Sequence, residues 1–244
     1  MFEIETQQVQ VINGNLKIDA YLAFPKEDKI FPAVIVIQEI FGVNNHIQDV
    51  TRRLAKQGYV AIAPAIYQRI APSFTTGYTS EDIAIGKEYK SQTKAEEILS
   101  DIQATIDYLH SLKQVKAGGI GTIGFCFGGH IAYLVATLKD ITAIASFYGA
   151  GIVNSTPGDG QPTITHTKDI KGTIYLFFGL EDASIPVEET GQIEAELKKH
   201  NIPHSIFCYP NADHGFFCDQ RGQYNPEAAA DAWQKVLELF GQYL

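Results

Sequence analysis

Apolar and polar residues alternate along two segments near the N-terminus, at residues 6–11 and 15–23. The pair Asn13 and Gly14 stands between these segments, and this dipeptide favours the two-residue turn of a β-hairpin. Strict alternation is typical of a strand with one covered and one exposed face. The chain is therefore predicted to begin with a hairpin.

The rest of the chain alternates between continuous apolar runs and helical spacings. Apolar residues recur every three or four positions over about 94–112, with charged residues between them, as in an amphipathic helix. Such strand–helix alternation produces right-handed crossovers and a mostly parallel, twisted sheet with helices on both faces. Two segments, 65–93 and 152–171, have no clear period and are predicted to be excursions from this pattern. The predicted strands lie at about 31–37, 59–63, 119–125, 142–148, 173–179 and 204–209, and the other helices at about 44–57, after Cys126, and at about 186–199 and 226–242.

Composition narrows the functional classes. With 244 residues, 45% apolar and 19% charged, the chain is predicted to form one globular α/β domain over 1–244. Subtracting 28 acidic from 19 basic residues gives a net charge of −9, which argues against nucleic acid or an anionic membrane as a partner. The N-terminus lacks the pattern of a signal peptide, and three cysteines are too few for a disulfide framework. A cytoplasmic location is therefore expected.

The segment with the clearest chemical meaning surrounds Cys126. It reads Gly124-Phe125-Cys126-Phe127-Gly128, between an apolar run and a helical pattern. This matches the nucleophile elbow, a sharp strand-to-helix turn that presents one reactive side chain above a parallel sheet. Glycines two positions before and after the nucleophile relieve the crowding of that turn. The pattern predicts a hydrolase that uses a thiolate, although an isolated cysteine is also common as a small core residue.

A nucleophilic thiol needs a base, an acid that orients the base, and amide groups that bind the oxyanion. Asp182 follows the predicted strand at 173–179, and His214 follows the strand at 204–209. Their order after Cys126 is the nucleophile–acid–histidine order of α/β-hydrolases. Glu181 is the alternative acid, and Asp182 could instead cap the helix that follows it.

The remaining histidines have simpler interpretations. His200 and His204 resemble a spaced pair of metal ligands, but Pro203 would break a helix between them, so neither a metal nor another cofactor is expected. The histidines predicted to be solvated, packed or part of a polar excursion are His46, His110, His130 and His166.

The end of the first buried strand completes the predicted site. The loop at that position supplies the second oxyanion donor of the fold, so the amides of Ile40 and Phe127 form the natural pair. Glu39 is unexpected there, because a carboxylate beside an attacking thiol disfavours the thiolate. Glu39 could instead be a carboxylate at the rim, paired with a base. Aromatic and basic residues that could line the substrate pocket are Tyr67, Arg69, Tyr148, Phe217 and Arg221.

Taken together, four segments resemble the dienelactone hydrolase family of α/β-hydrolases: residues 38–42 (Gln-Glu-Ile-Phe-Gly), 124–129, the segment around Asp182, and 213–216 (Asp-His-Gly-Phe). The resemblance extends over about 15–240. It implies the α/β-hydrolase fold, a Cys126–His214–Asp182 triad and a carboxymethylenebutenolidase activity, which opens an unsaturated lactone in catechol breakdown. It also implies that Glu39 holds the resting thiol and turns away when substrate binds.

The sequence departs from the family pattern at the residues that would bind the carboxylate of the substrate. The resemblance implies two arginines in this role, one in the helical excursion and one four residues after the histidine. Here Cys218 stands four residues after His214, with Arg221 three positions further, and residues 76–93 contain only Lys87 and Lys90 as basic residues. Arg69 could instead bind the substrate carboxylate from another side of the pocket.

Three functional classes follow from these features. The first is a hydrolase acting on a small ester or lactone. The second is a binding protein that holds a small carbonyl compound without reaction, and the third is a thiol-redox protein using Cys126 with Cys208 or Cys218. Four matched residues at one predicted site favour the hydrolase, since a binding protein has no use for all of them. The chain lacks a Cys-x-x-Cys motif, which disfavours the redox role.

Overall fold

Eight strands form one sheet in the computed structural model, which describes residues 1–244. Strands and helices alternate as the sequence pattern predicts. The strands are β1 (Ile4–Asn13), β2 (Leu16–Pro25), β3 (Ala33–Ile37), β4 (Val60–Pro64), β5 (Ile120–Phe125), β6 (Ile141–Phe147), β7 (Thr173–Gly179) and β8 (His204–Tyr209). The helices are α1 (Asn45–Lys56), α2 (Ser80–Ser91), α3 (Ala95–Ser111), α4 (Phe127–Val135), α5 (Val187–Lys199) and α6 (Pro226–Tyr243), with a 3-10 helix at Thr163–Asp169.

The order of strands across the sheet is β1-β2-β4-β3-β5-β6-β7-β8. The hairpin β1–β2 is antiparallel and joins the sheet through β4, whereas every pair from β4 to β8 is parallel. Strands β3 and β5 are buried along their whole length, as their continuous apolar runs predict. Parallel strands end at the same edge, so the loops after β3, β5, β6, β7 and β8 meet there. None of the helices is long and apolar enough to cross a bilayer.

The two excursions contain short helices. Helix α2 lies within the aperiodic segment 65–93, and Gly86 is its only buried residue. It begins with a capping box, in which the Thr79 side chain accepts from the Asp82 amide and the Asp82 side chain accepts from the Thr79 amide. The capping box is the sequence feature that marks this helix, because its apolar residues do not form a stripe. The 3-10 helix lies in the second excursion, before β7 resumes the sheet.

Candidate active site

Cys126 lies between the last residue of β5 and the first residue of α4. Its φ of 55° is in the left-handed region, which residues other than glycine rarely adopt. Two backbone hydrogen bonds hold the turn: the Cys126 amide donates to the Phe147 carbonyl at 3.0 Å, and the His130 amide donates to the Cys126 carbonyl at 3.1 Å. The side chain is half-buried at the carboxyl edge of the sheet. This geometry is that of a nucleophile elbow.

The two flanking glycines are required by close backbone contacts. A methyl group on Gly124 would collide with the carbonyl of Gly128. A methyl group on Gly128 would collide with the carbonyls of Ile37 and Gln38, at the end of β3. The elbow therefore packs directly against the neighbouring strand, with no space for a side chain at either position.

Asp182 and His214 meet at the same edge although 32 positions separate them. The His214 Nδ1 lies 2.7 Å from Asp182 Oδ2, and the Asp182 side chain is completely buried. The other carboxylate oxygen, Oδ1, accepts a hydrogen bond from the Ser184 amide at 2.8 Å. Glu181 is exposed, so Asp182 is the carboxylate that contacts the imidazole. An ionised carboxylate can only accept, so Nδ1 is the donor in this contact.

The surroundings of His214 favour its charged form. Burial alone lowers the pKa of His214, but the charge of Cys126 and hydrogen bonds to Asp182 and Cys126 outweigh this effect. Together they raise the pKa of His214 from 6.5 to about 10. The site therefore favours the imidazolium form of His214.

Glu39 is buried, and its partner is Arg221. The Arg221 Nη1 donates to Glu39 Oε1 at 3.0 Å, and the guanidinium carbon lies 5.7 Å from the ring centres of both Phe41 and Tyr78. Burial raises the pKa of Glu39, and the positive charges of Arg221 and His214 oppose that shift. A rim position for Glu39 is therefore wrong, because the carboxylate is completely enclosed. The pairing of Glu39 with Arg221 does agree with the expectation from the sequence that this carboxylate pairs with a basic residue.

The amides of Ile40 and Phe127 both lie at this edge. Phe127 is the first residue of α4, so its N–H points out of the helix N-terminus without an intrahelical partner. Ile40 lies in the turn after β3. Neither amide donates a hydrogen bond to a protein acceptor. Both can therefore donate to an oxyanion.

Of the predicted pocket residues, Tyr67 and Tyr148 lie near the elbow. The Tyr67 ring stacks on Phe127 with 6.2 Å between ring centres, and its hydroxyl donates to the Gly86 carbonyl at 3.3 Å. The Tyr148 ring centre lies 5.2 Å from that of His214, and its buried hydroxyl has no hydrogen-bond partner. Both tyrosines thus contact residues of the site.

The structure places Phe217 and Arg69 elsewhere. Phe217 is buried in the core, with its ring stacked on Phe125 at 5.2 Å and the Arg53 guanidinium 5.1 Å from its centre. The guanidinium of Arg69 donates to both carboxylate oxygens of Asp101, from Nε at 3.0 Å and from Nη2 at 2.7 Å. Neither side chain is available to a substrate in these positions. The sequence did not indicate these partners, because each comes from a distant segment.

A cleft of about 420 Å³ lies beside the elbow, with Phe127 in its wall. Lys87 and Lys90 of α2 line it, and the Lys90 ammonium lies 5.4 Å from the centre of the Phe127 ring. Cys126, Asp182 and His214 line neither this cleft nor the two larger cavities, of about 500 and 670 Å³. Lys87 and Lys90 are three positions apart, a spacing that places both on one face of a helix. The sequence could have indicated this basic side of the cleft if α2 had been recognised from its capping box.

The same cleft contains His130, which has a structural role. Its Nδ1 lies 3.1 Å from the Ala150 carbonyl, and its Nε2 lies 2.7 Å from the Thr163 hydroxyl. Burial and the charge of Lys90 lower the pKa of His130 to about 4. His130 is therefore a neutral packing residue, as the sequence predicts for a histidine inside a helix.

Comparison with known proteins agrees with this geometry. A sequence model of the dienelactone hydrolase family matches residues 18–244. The chain belongs to the dienelactone hydrolase family. It is 60% identical over 238 residues to a candidate carboxymethylenebutenolidase of Synechocystis sp., covering 98% of this chain and 97% of the relative. This dienelactone hydrolase family member is thus a hydrolase related to carboxymethylenebutenolidases.

Solved structures share the fold of this family member. A candidate dienelactone hydrolase from Klebsiella pneumoniae subsp. pneumoniae has a TM-score of 0.91 and 32% identity, covering 99% of this chain and 100% of the other. P91, a promiscuous dienelactone hydrolase-like phosphotriesterase from metagenomic libraries, has a TM-score of 0.82 and 22% identity, covering 99% of each chain. The second likeness shows the fold alone. The predicted α/β-hydrolase fold is therefore confirmed.

Proposed function

We propose that this protein hydrolyses a small ester or lactone through a thioacyl-enzyme formed on Cys126. The Cys126 thiolate attacks the carbonyl carbon, and the amides of Ile40 and Phe127 bind the oxyanion. Collapse of the intermediate breaks the carbon–oxygen bond, and the imidazolium of His214 protonates the leaving alkoxide. His214 then removes a proton from water, which attacks the thioester, releases the acid and regenerates the thiol.

The contact between Asp182 and His214 beside the Cys126 elbow carries this proposal. A sulfur on a strained turn and an imidazole held by a buried carboxylate are the parts that acyl transfer needs. The free amides of Ile40 and Phe127 supply the remaining part. The ion pair between Glu39 and Arg221 supports it further, because a carboxylate engaged by a guanidinium opposes the thiolate less.

Replacement of the nucleophile tests the covalent route. Cys126→Ala should lower kcat/KM for p-nitrophenyl acetate by about 10³-fold or more, because residues of a triad act as a unit. Cys208→Ala is the matched control, since Cys208 is an exposed cysteine on β8. The control should keep the wild-type rate. Hydrolysis by Cys126→Ala at the wild-type rate would contradict the proposal, and binding of a lactone without turnover by the wild-type protein would indicate a binding protein.

For the substrate, we propose a lactone that carries a carboxylate, as the names of the relatives suggest. Arg69 is bound to Asp101 and is not available to a substrate carboxylate. We therefore expect the carboxylate to bind Lys87 or Lys90, which line the cleft beside Phe127. Lys90→Ala should raise KM about tenfold for a carboxylate lactone, since a hydrogen bond to a charged group contributes about 1.5 kcal/mol. KM for the methyl ester of the same lactone should not change.

The control for this experiment is Lys198→Ala, at an exposed lysine on α5. This variant should leave KM for both lactones at the wild-type value. An equal effect of Lys90→Ala on the charged and the neutral lactone would contradict the carboxylate assignment while leaving the thiolate mechanism intact.

A further inference from the structure

Three buried side chains lie together behind the catalytic edge, and the mechanism uses only one of them. A carboxylate oxygen of Glu39, a ring nitrogen of His46 and the sulfur of Cys218 all lie within 4.8 Å of one another. All three residues are buried. Carboxylate, imidazole and thiolate are the three ligand types that zinc binds in proteins. The cluster therefore has the composition of a metal site.

Two of these side chains carry a buried polar atom that lacks a hydrogen-bond partner. Oε1 of Glu39 accepts from Arg221, but Oε2 is buried with no partner, and so is Nε2 of His46. Burial, with the charges of Arg53 and Arg221, lowers the pKa of His46 to about 3, so its imidazole is neutral. Buried polar atoms left unpaired are costly, and each such atom in a folded protein calls for a ligand or a structural reason.

We propose that Glu39 Oε2, His46 Nε2 and Cys218 Sγ form a binding site for Zn²⁺ or a similar borderline divalent cation. Glu39 would bind the ion through its free oxygen and keep Arg221 on the other. The Cys218 thiol would lose its proton to solvent as the sulfur–metal bond forms, and its hydrogen bond to the Tyr78 hydroxyl would break. Three protein ligands leave one position of a tetrahedral ion open.

The geometry requires a small contraction. Bonds of about 2.0 Å to nitrogen and oxygen and about 2.3 Å to sulfur bring tetrahedral ligand atoms to roughly 3.5 Å from one another. The three side chains therefore need to approach by about 1 Å.

An entry path leads to the cluster through Tyr78. A surface cleft of about 310 Å³ is lined by Asn44, Tyr78 and Gln220, among others. The Tyr78 hydroxyl accepts from the Cys218 thiol at 3.4 Å and from the Asn44 amide at 3.1 Å, so this side chain separates the cleft from the buried sulfur. Rotation of Tyr78 would open the cluster to solvent.

Cobalt binding tests the proposal directly. Cobalt replaces zinc in such sites and gives a sulfur-to-cobalt charge-transfer absorption when a thiolate binds it. The experiment uses Cys126→Ala, because the Cys126–His214 pair could itself bind a metal. This protein should show the charge-transfer absorption with one equivalent of cobalt, and zinc should displace the cobalt. The absorption should disappear in Cys126→Ala/Cys218→Ala, and binding should weaken at least tenfold in Cys126→Ala/His46→Gln.

Three results would overturn the proposal. The first is an absence of zinc and cobalt binding by Cys126→Ala, which would mean that ordered water satisfies the unpaired atoms. The second is a charge-transfer absorption that persists without Cys218, which would assign the ligand to the exposed Cys208. The third is unchanged zinc affinity in the His46 variant. If His46→Gln fails to fold, the Cys218 variant alone decides.

Discussion

At the scale of single residues, neighbouring charges set the protonation state of His214. His214 is half-buried, and burial alone would lower the pKa of its imidazole. The charge of Cys126 and the contact with Asp182 reverse that effect and raise the pKa of His214 to about 10. The charged form of His214 therefore depends on its neighbours and not on exposure to solvent.

This coupling can be measured on the imidazole. In Cys126→Ala the attraction of the thiolate is lost while burial and Asp182 remain, so the pKa of His214 should fall well below the wild-type value of about 10. The measurement is an NMR titration of the His214 ring protons in both proteins. Asp182→Asn should also lower the pKa of His214, because it replaces a charged acceptor. An unchanged pKa in Cys126→Ala would show that no thiolate forms beside His214.

The sequence could predict that Cys126, Asp182 and His214 meet at one site, but it could not predict the partner of Glu39. Cys126, Asp182 and His214 stand in local motifs directly after predicted strands, so position along the chain is informative for each of them. The partner of Glu39 is Arg221, which lies 182 positions further along the chain. No local pattern links the two, and only the packing of the loops after β3 and β8 brings them into contact.

At the scale of elements, the turn between β5 and α4 determines the geometry of the site. The sequence predicted that turn from its two glycines, and the structure gives the reason in the close approach of α4 to the end of β3. Helix α2 was not predicted, since its apolar residues do not form a stripe and only its capping box defines it. Apolar periodicity predicts elements that bury a face and gives no signal for those that do not.

A pair of glycine-to-alanine variants tests the role of the turn. Gly128→Ala should destabilise the fold by about 1–3 kcal/mol, because the new methyl group forces α4 away from the Ile37 and Gln38 carbonyls. It should also lower kcat, since the Phe127 amide moves with the helix. The matched control is Gly191→Ala on α5, where no atom lies within 4 Å of the added methyl group. That variant should stabilise the protein by about 0.5–1 kcal/mol. Equal melting temperatures of the two variants would contradict the role assigned to the elbow.

At the scale of the whole molecule, one parallel sheet gathers residues from the full length of the chain. The loops after β3, β5, β6, β7 and β8 contribute Glu39, Cys126, Tyr148, Asp182 and His214 to a single edge. The sequence predicted this convergence because parallel topology follows from strand–helix alternation. It could not predict which polar groups the edge would enclose, since burial depends on how several loops pack over it.

The enclosed ion pair connects the site to the stability of the entire fold. Arg221→Met removes the partner of a completely buried carboxylate, and loss of one member of such a pair costs about 3–5 kcal/mol. The free energy of unfolding in urea should fall by about that amount. The matched control is Arg69→Met, because Arg69 is 31% exposed and Asp101 also accepts from Asn13. The control should destabilise by about 1 kcal/mol or less.

Removing both charges should reverse most of the loss. Glu39→Gln/Arg221→Met leaves no buried charge, so its stability should exceed that of Arg221→Met by several kcal/mol, roughly the 3–5 kcal/mol of a broken pair. Burial raises the pKa of Glu39, so ionising this carboxyl costs more in the fold than in the unfolded chain, and loss of Arg221 increases that cost. The penalty in Arg221→Met should therefore grow as the pH rises above 4.5. Urea titrations at about pH 4, roughly half a unit below that value, and at about pH 7, roughly two to three units above it, measure this difference. If Arg221→Met is equally destabilised at both pH values, then lost packing of the arginine against Phe41 and Tyr78, and not the unpaired charge, accounts for its effect.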